Sequence, residues 1–386
     1  MQKNKRILIL TENFGDGHSK VAQAISEAVG MRFPDGEPVV FEFLKEINPV
    51  AYKMIRFWFF LIVKKFPLLY GWLYNATGKV SDSSFFDLMI IKFIGVYKIQ
   101  KMLTDIQPSV VVSTCPLAAN IMSKLKEMGR IKIPIITVIT DHTDHHYWIS
   151  PYTDRYLVGS DYVRQSLLHI GIPDSKISVT GIPIRSEFNT VYNKHLLVRK
   201  YNLDPSLPVV LVMGGGDGII GRELSQLIEF NSLTKKINLI IVCGHNETLR
   251  KKLVRESKYS KHHVLITGYV NCISEFMAIS DLMITKPGGV TTSEAISSQL
   301  PMLLYKPIPG QEVDNANFLV RSGVAIQAYD GKDLIGLLQE ILVKPAVLFY
   351  MKRNAKELKY QWDPEFLNAI FPREYANQAR KTFQCL

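Results

Sequence analysis

The chain has 386 residues, 46 Lys and Arg against 35 Asp and Glu for a formal charge of +11, and 47% apolar residues. Such a composition excludes a disordered, collagenous or coiled-coil chain, and at about 150 residues per domain the length predicts two or three domains. Four cysteines (Cys115, Cys243, Cys272, Cys385) stand far apart with no C-x-x-C, which excludes a disulfide framework and a thiolate zinc site and fits a reducing cytoplasm.

Short apolar runs alternate with amphipathic stretches along the chain. The first run, Ile7–Leu10, is too short for a signal-peptide core, so no export is expected. With it, Val39–Phe43, Val110–Val112, Ile133–Ile139, Tyr156–Val158 and Ile177–Val179 read as buried strands. Val209–Met213, Leu239–Cys243, Val264–Thr267, Leu282–Thr285 and Met302–Tyr305 repeat the pattern, giving α/β alternation twice. Between the halves the polar, proline-bearing passage Asn189–Pro208 has no clear period and is expected to be the linker, with the boundary near residue 195. In doubly wound sheets ligands sit beyond the carboxyl ends of the strands, so chemistry is sought in the loops that follow them.

The loop after the first strand is Asn13-Phe14-Gly15-Asp16-Gly17-His18-Ser19, followed by the helical pattern Val21, Ala22, Ile25, Ala28 and Val29. Its glycines permit close approach to a ligand and Ser19 is placed to cap a helix whose positive end attracts anions. A glycine-rich turn with an incidental histidine explains the same residues. From Ala51 to Lys101 the bases Lys53, Arg56, Lys64, Lys65, Lys79, Lys92, Lys98 and Lys101 face only Asp82 and Asp87, amid many aromatic rings. No window reaches the roughly 18 apolar residues of a membrane span. Arg56, Phe57, Trp58, Phe59, Lys64, Lys65 and Trp72 are instead expected in a membrane interface, against the alternative of a core helix and its loop.

The second half opens with Gly214-Gly215-Gly216-Asp217-Gly218-Ile219-Ile220-Gly221, which contains G-x-G-x-x-G after a strand. A dinucleotide site wants an acid at the end of the next strand, whereas Leu239–Cys243 runs into Gly244-His245-Asn246, so NAD is disfavoured and a diphosphate loop remains. Strand Leu282–Thr285 runs into Lys286-Pro287-Gly288-Gly289-Val290-Thr291-Thr292-Ser293-Glu294, where free N–H groups and outward hydroxyls at a helix start suit phosphate, and Glu294 suits ribose hydroxyls. Pro309-Gly310-Gln311-Glu312 is either a sugar-binding loop or simply a turn. Asp141, His142, Asp144, His145 and His146 are metal-ligand types, but they span little more than one turn and no second cluster joins them, so no metal site is expected.

Together Gly15–His18, Thr180–Ile184, Met283–Gly289 and Pro309–Glu312 resemble the lipid-directed branch of the family 28 glycosyltransferases, from Ile7 to about Val324. That branch contains the monogalactosyldiacylglycerol synthases and the bacterial diacylglycerol β-glucosyltransferases. The resemblance implies an α/β fold of the GT-B type, two Rossmann-like doubly wound domains facing across a cleft. Residues 1–195 are then the acceptor-side domain for lipid and membrane, and 196–386 bind the UDP-sugar, with the last helices packing back on the first domain. It implies inverting transfer of glucose or galactose from UDP-glucose or UDP-galactose to diacylglycerol or a glycosylated diacylglycerol. No metal or other cofactor is needed for that chemistry, and the enzyme works from the cytoplasm on the inner, anionic face of the membrane, without nucleic acid as a partner.

Carried over residue by residue, His18, beside Gly17, matches the family's essential histidine, and Asp141 with His145 matches an Asp and, four residues later, a His of the cleft loop. These three are the catalytic candidates, with His18 or Asp141 as base. Tyr269 and Val270 match the stretch that holds uracil, Pro287, Gly288, Gly289, Val290, Thr291 and Thr292 the diphosphate loop, and Glu294 the ribose-binding acid. Gln311, Glu312 and Asn315 match donor-sugar and cleft positions, and Gly214, Gly215, Gly216 and Gly244 join them as donor-binding candidates on strand-end loops. Asp144 and His146 have no counterpart, and Asp16 stands where relatives often carry Asn. No D-x-D occurs, which weighs against a metal-dependent GT-A enzyme. Rival readings are a UDP-sugar 2-epimerase, which has no use for the basic aromatic segment, a UDP-N-acetylglucosamine-dependent transferase with a lipid-linked acceptor, and a nucleic-acid-binding protein, for which no module is visible.

Overall fold

The computed structural model describes residues 6–33, 35–78, 95–214, 233 and 235–358. Gly215 and Gly216, the rest of the G-x-G-x-x-G run, and residues 359–386, expected to return to the first domain, lie outside these. The described residues fall into two compact units, one of residues up to Ser186 together with Pro309–Gln311, the other of Glu187–Ile308 and residues 312–358.

The first unit holds a six-stranded parallel sheet in the order β2-β1-β3-β4-β5-β6, made of β1 (Arg6–Thr11), β2 (Glu37–Glu42), β3 (Val110–Ser113), β4 (Ile135–Val138), β5 (Arg155–Val158) and β6 (Ile177–Val179). The second holds another, β12-β11-β10-β7-β8-β9, from β7 (Val209–Met213), β8 (Asn238–Val242), β9 (His263–Thr267), β10 (Leu282–Thr285), β11 (Met302–Tyr305) and β12 (Ala325–Ala328). In chain order the helices are α1 (Asp16–Arg32), α2 (Phe43–Ile47), α3 (Pro49–Lys65), α4 (Pro67–Thr77), α5 (Val96–Ile106), α6 (Pro116–Glu127), α7 (Asp161–His169), α8 (Lys194–Lys200), α9 (Glu247–Glu256), α10 (Ile273–Ile279), α11 (Gly289–Ser297), α12 (Gln311–Arg321), α13 (Gly331–Val343) and α14 (Pro345–Leu358).

The strands are continuous apolar runs because helices cover both sheet faces, and Ile7, Leu8, Ile9 and Leu10 of β1 are fully buried. The apolar stripe of α1 (Val21, Ala22, Ile25, Ala28, Val29) is buried, with Asp16 in its first turn and Arg32 in its last. Asn48 caps α3 by accepting from the Ala51 N–H at 3.1 Å, with Pro49 at the first helical position. Of the 17 residues of α3 only Ala51 and Tyr52 are buried, and of α4 only Gly71.

The passage expected as a linker is not featureless. Its residues 194–200 form α8, capped by the Asn193 side chain and packed against α10, where Lys200 Nζ and Tyr201 Oη both reach Glu275 at 2.6 Å. Strand β12 has no counterpart in the sequence reading, because Ala325-Ile326-Gln327-Ala328 carries too little apolar signal.

Strand order reverses between β1 and β3 in the first sheet and between β7 and β10 in the second. At such a point the flanking loops diverge and leave a crevice at the strand ends, which is where the two candidate sites form. Among the described residues no single helix is long and apolar enough to cross a membrane; α13 and α14 pass that test only as a pair, bent by 93°. Leu334, Leu338, Ile341 and Leu342 of α13 belong to the second unit's core.

Candidate active site

In the first unit, loops after β1, β3 and β4 converge on His18, which lies in the first turn of α1. The Thr114 hydroxyl spans the reversal point, within 3.2 Å of the Leu10 and His18 carbonyls. Thr140 Oγ1, after β4, is 3.2 Å from His18 Nδ1, and the His18 ring meets Trp148 edge-on at 6.0 Å. Burial pushes the His18 pKa below its ordinary value, and the nearby Asp141 charge opposes that shift. His18 is thus a neutral imidazole beside a carboxylate that favours its protonated form.

The other members of the Asp141–His146 run diverge, which is why they do not collect into a metal site; among the described residues no group of three His, Cys, Asp or Glu is placed to hold one. His142 is buried, its Nδ1 is 3.2 Å from Ser160 Oγ, and burial drives its pKa down to about 3. Asp144 is exposed. His145 turns to α4: its Nδ1 accepts from the Tyr147 N–H at 3.1 Å, so its Nε2 carries the proton and donates to the Tyr74 carbonyl at 2.8 Å. Both nitrogens of His145 thus engage backbone groups.

In the second unit, Gly214 and the 286–292 loop follow β7 and β10, on either side of the strand-order reversal. Lys286 is 8% exposed and burial lowers its pKa, an effect opposed by Glu312 and reinforced by Lys306. It precedes the N-terminus of α11, where Gly288 occupies the cap with no side-chain hydrogen bond. Backbone N–H groups at the positive end of a helix, with a buried ammonium beside them, make a place for an anion. The hydroxyls expected to face outward are partly used inside: Thr292 Oγ1 bonds the Gly288 and Gly289 carbonyls at 3.0 and 3.1 Å, and Ser293 Oγ bonds the Gly289 carbonyl at 2.8 Å. Val290 is buried and Thr291 half-buried, with Gly289 between them and Gly288. Asn315, fully buried, donates from Nδ2 to the Pro287 carbonyl at 3.0 Å and so ties the loop to α12. Glu294 is 1% exposed, one turn into α11. Glu312 Oε2 accepts from the Ile308 N–H at 2.7 Å.

After β8, Gly244 adopts φ +58°, a left-handed conformation that suits glycine, and turns the chain so that His245 stacks on Tyr269, after β9, at 4.6 Å and 9°. Tyr269 is exposed and Val270 half-buried. Sequence reasoning did not single out His245 as this ring's partner; two aromatic residues following adjacent parallel strands were the available signal.

Residues 18–184 match the family model of monogalactosyldiacylglycerol (MGDG) synthase, and residues 223–358 match that of glycosyl transferases group 1. A processive diacylglycerol β-glucosyltransferase of Bacillus subtilis (strain 168) is 33% identical over 361 residues, 93% of this chain and 92% of that protein. One of the same description from Bacillus cereus (strain B4264) is 31% identical over 381 residues, covering 97% and 96%. The chain belongs to this family of diacylglycerol glycosyltransferases. Solved structures agree on the GT-B fold: Acinetobacter baumannii MurG superposes with a TM-score of 0.60 at 13% identity, over 95% of this chain and 99% of that one. Anabaena HepE in complex with UDP-glucose does so with 0.56 at 13%, over 99% and 100%.

Against that family membership the interfacial residues are informative. Arg56, Phe57, Trp58, Lys64, Lys65 and Trp72 of the expected interface are exposed. Phe59 is not among them: it is half-buried, with its ring 5.9 Å from both Phe14 and Tyr70. Gln311 Oε1 accepts from the Tyr70 hydroxyl at 2.7 Å, so it is held by α4 within the first unit.

Proposed function

We propose that this family member is a UDP-glucose-dependent transferase that moves glucose, with inversion, to the primary hydroxyl of diacylglycerol and then to glucosylated diacylglycerol. One observation carries the reading: identity of 31–33% across more than nine-tenths of the chain to processive diacylglycerol β-glucosyltransferases.

The geometry supports a division of labour. An alcohol is a poor nucleophile near pH 7, so a base must take its proton as the anomeric carbon gains positive character. With Nδ1 against Thr140, His18 presents Nε2 for that proton, and Asp141 stabilises the imidazolium that results. UDP departs with growing negative charge, which the N-terminus of α11 and Lys286 meet. Uracil rests against the stretch at Tyr269 and Val270, and Glu294 takes the ribose hydroxyls.

The acceptor lies in a membrane, and the outer surface of α3 and α4 suits its headgroup region. Met54, Phe57, Trp58, Phe66, Leu68 and Trp72 are all more than half exposed, with Arg56, Lys64 and Lys65 among them. Each base near an anionic leaflet contributes about 1 kcal/mol, and the rings anchor at headgroup level. These residues support a peripheral position on the inner face of the membrane. Supplying diacylglycerol vesicles with UDP-glucose or UDP-galactose in parallel and resolving the lipids tests the donor and acceptor together; a product from UDP-galactose alone overturns the choice of glucose.

A further inference from the structure

Helix α4 has two different sides. Leu68 (83%) and Trp72 (65%) are exposed, whereas Gly71 is buried, and a side chain there would strike Pro309, at 2.6 Å from the added carbon. Residues four apart share a helix face, and the half-buried Tyr70 and Tyr74 lie on the side opposite Leu68 and Trp72. The Tyr74 ring lies on His145 with centroids 4.0 Å apart, its hydroxyl is 2.9 Å from Thr143 Oγ1, and its carbonyl receives the His145 Nε2 proton. A side chain at Gly78, just beyond α4, would press on His145 Cδ2 at 3.2 Å.

The loop that α4 grips in this way is the one that addresses His18. Thr140, against His18 Nδ1, and Asp141, whose charge acts on His18, precede Thr143 and His145 by only two to five positions. Thr143 Oγ1 also accepts from the His145 N–H at 3.2 Å, so the segment is tied to itself as well as to α4. Displacement of α4 therefore displaces the groups that orient the candidate base.

We propose that Tyr74 and His145 are positioning residues that latch the Thr140–His145 loop to α4, so that seating the outer face of α4 on lipid fixes the loop that orients His18. This rests on reading that face as the lipid surface. The latch gives a reason for two aromatic rings and a small residue on the inner side of a helix whose other side is a docking surface. It also makes turnover depend on contact with lipid, not only on meeting an acceptor molecule.

The test uses the full chain with anionic vesicles, and compares wild type, Tyr74→Ala, Tyr74→Phe and His145→Gln. Vesicle binding is read by sedimentation, and ordering of residues 139–148 by hydrogen exchange with and without vesicles, which needs neither donor nor turnover. Vesicles are expected to slow exchange in this loop in wild type and in Tyr74→Phe, which keeps the ring, but not in Tyr74→Ala or His145→Gln, although both pellet normally. On vesicles kcat is expected to fall about tenfold in Tyr74→Ala with KM for UDP-glucose unchanged, since small misplacements of catalytic groups are costly. Equal loop protection in wild type and Tyr74→Ala overturns the proposal, as does loss of vesicle binding or a parallel rise in KM, which would make Tyr74 part of the surface or the fold. Loop protection without any glycolipid product leaves the latch standing and overturns the functional reading instead.

Discussion

The hydroxyl of Thr140 stands 3.2 Å from Nδ1 of His18, joining the segment after β4 to the first turn of α1. In the proposed transfer that contact leaves Nε2 to face the acceptor, and the Asp141 charge favours the protonated ring.

His18→Ala is expected to lower kcat about 10²–10⁴-fold while UDP affinity holds, because the residue belongs to the first unit. The working form is the neutral ring, whose pKa burial places below the ordinary 6.5. Activity should therefore persist as pH falls to 6.5 and drop only below it. Asp141→Asn removes the effect that raises this pKa, so its residual activity should show the acid limb at still lower pH. A pH–rate profile decides this; a limb that stays in place in Asp141→Asn dissociates the two residues.

Asn315→Ala leaves the Pro287 carbonyl without its 3.0 Å donor and frees the loop before α11. Loss of a buried hydrogen bond costs roughly 1–3 kcal/mol, so UDP affinity should weaken by about tenfold or more. Calorimetry with UDP measures it. Unaltered affinity would show that this loop does not meet the diphosphate.

Replacing Trp58 and Trp72 by Ser and Lys64 and Lys65 by Glu should abolish pelleting with anionic vesicles while UDP binding persists. All four side chains are exposed, so the fold is spared. In the double variant Lys64→Glu and Lys65→Glu alone, binding should survive at low salt better than at high salt, as screening weakens the remaining bases. A fourfold variant that still pellets assigns lipid contact to another surface.

Glu12, at the end of β1, is 1% exposed, and burial raises its pKa from 4.5 to about 8 while Oε1 accepts from the Leu44 N–H at 2.6 Å. Between those two values the folded protein binds the proton that the unfolded chain releases, so stability falls as pH rises from 4.5 to 8, by up to about 1.4 kcal/mol per unit. Glu12→Gln keeps an acceptor for Leu44 and carries no charge. It should raise the unfolding midpoint at pH 8–9 more than at pH 4–5, read by denaturant titration at both.

Continuous apolar runs made the two sheets legible, since β6, β7, β10 and β11 begin and end where the sequence placed them. What a run cannot disclose is where a polar side chain spends its hydrogen bonds. Asn315 and His145 sit in positions that point to ligand and catalysis, yet one holds the Pro287 carbonyl and the other a carbonyl of α4. Phe59 directly follows the exposed Phe57 and Trp58 and nonetheless turns inward to Phe14, because helical rotation, not local composition, selects the face. Family resemblance located the strand-end loops; only three-dimensional packing separates the side chains that line a site from those that brace it.

The most direct measurement is the lipid product itself, formed from labelled UDP-glucose and diacylglycerol vesicles and examined for its anomeric configuration by NMR. Inverting transfer predicts β-linked glucosyldiacylglycerol, followed by a diglucosyl product, with neither formed by His18→Ala. Label that remains in the water-soluble fraction, or an α-linked lipid, would contradict it.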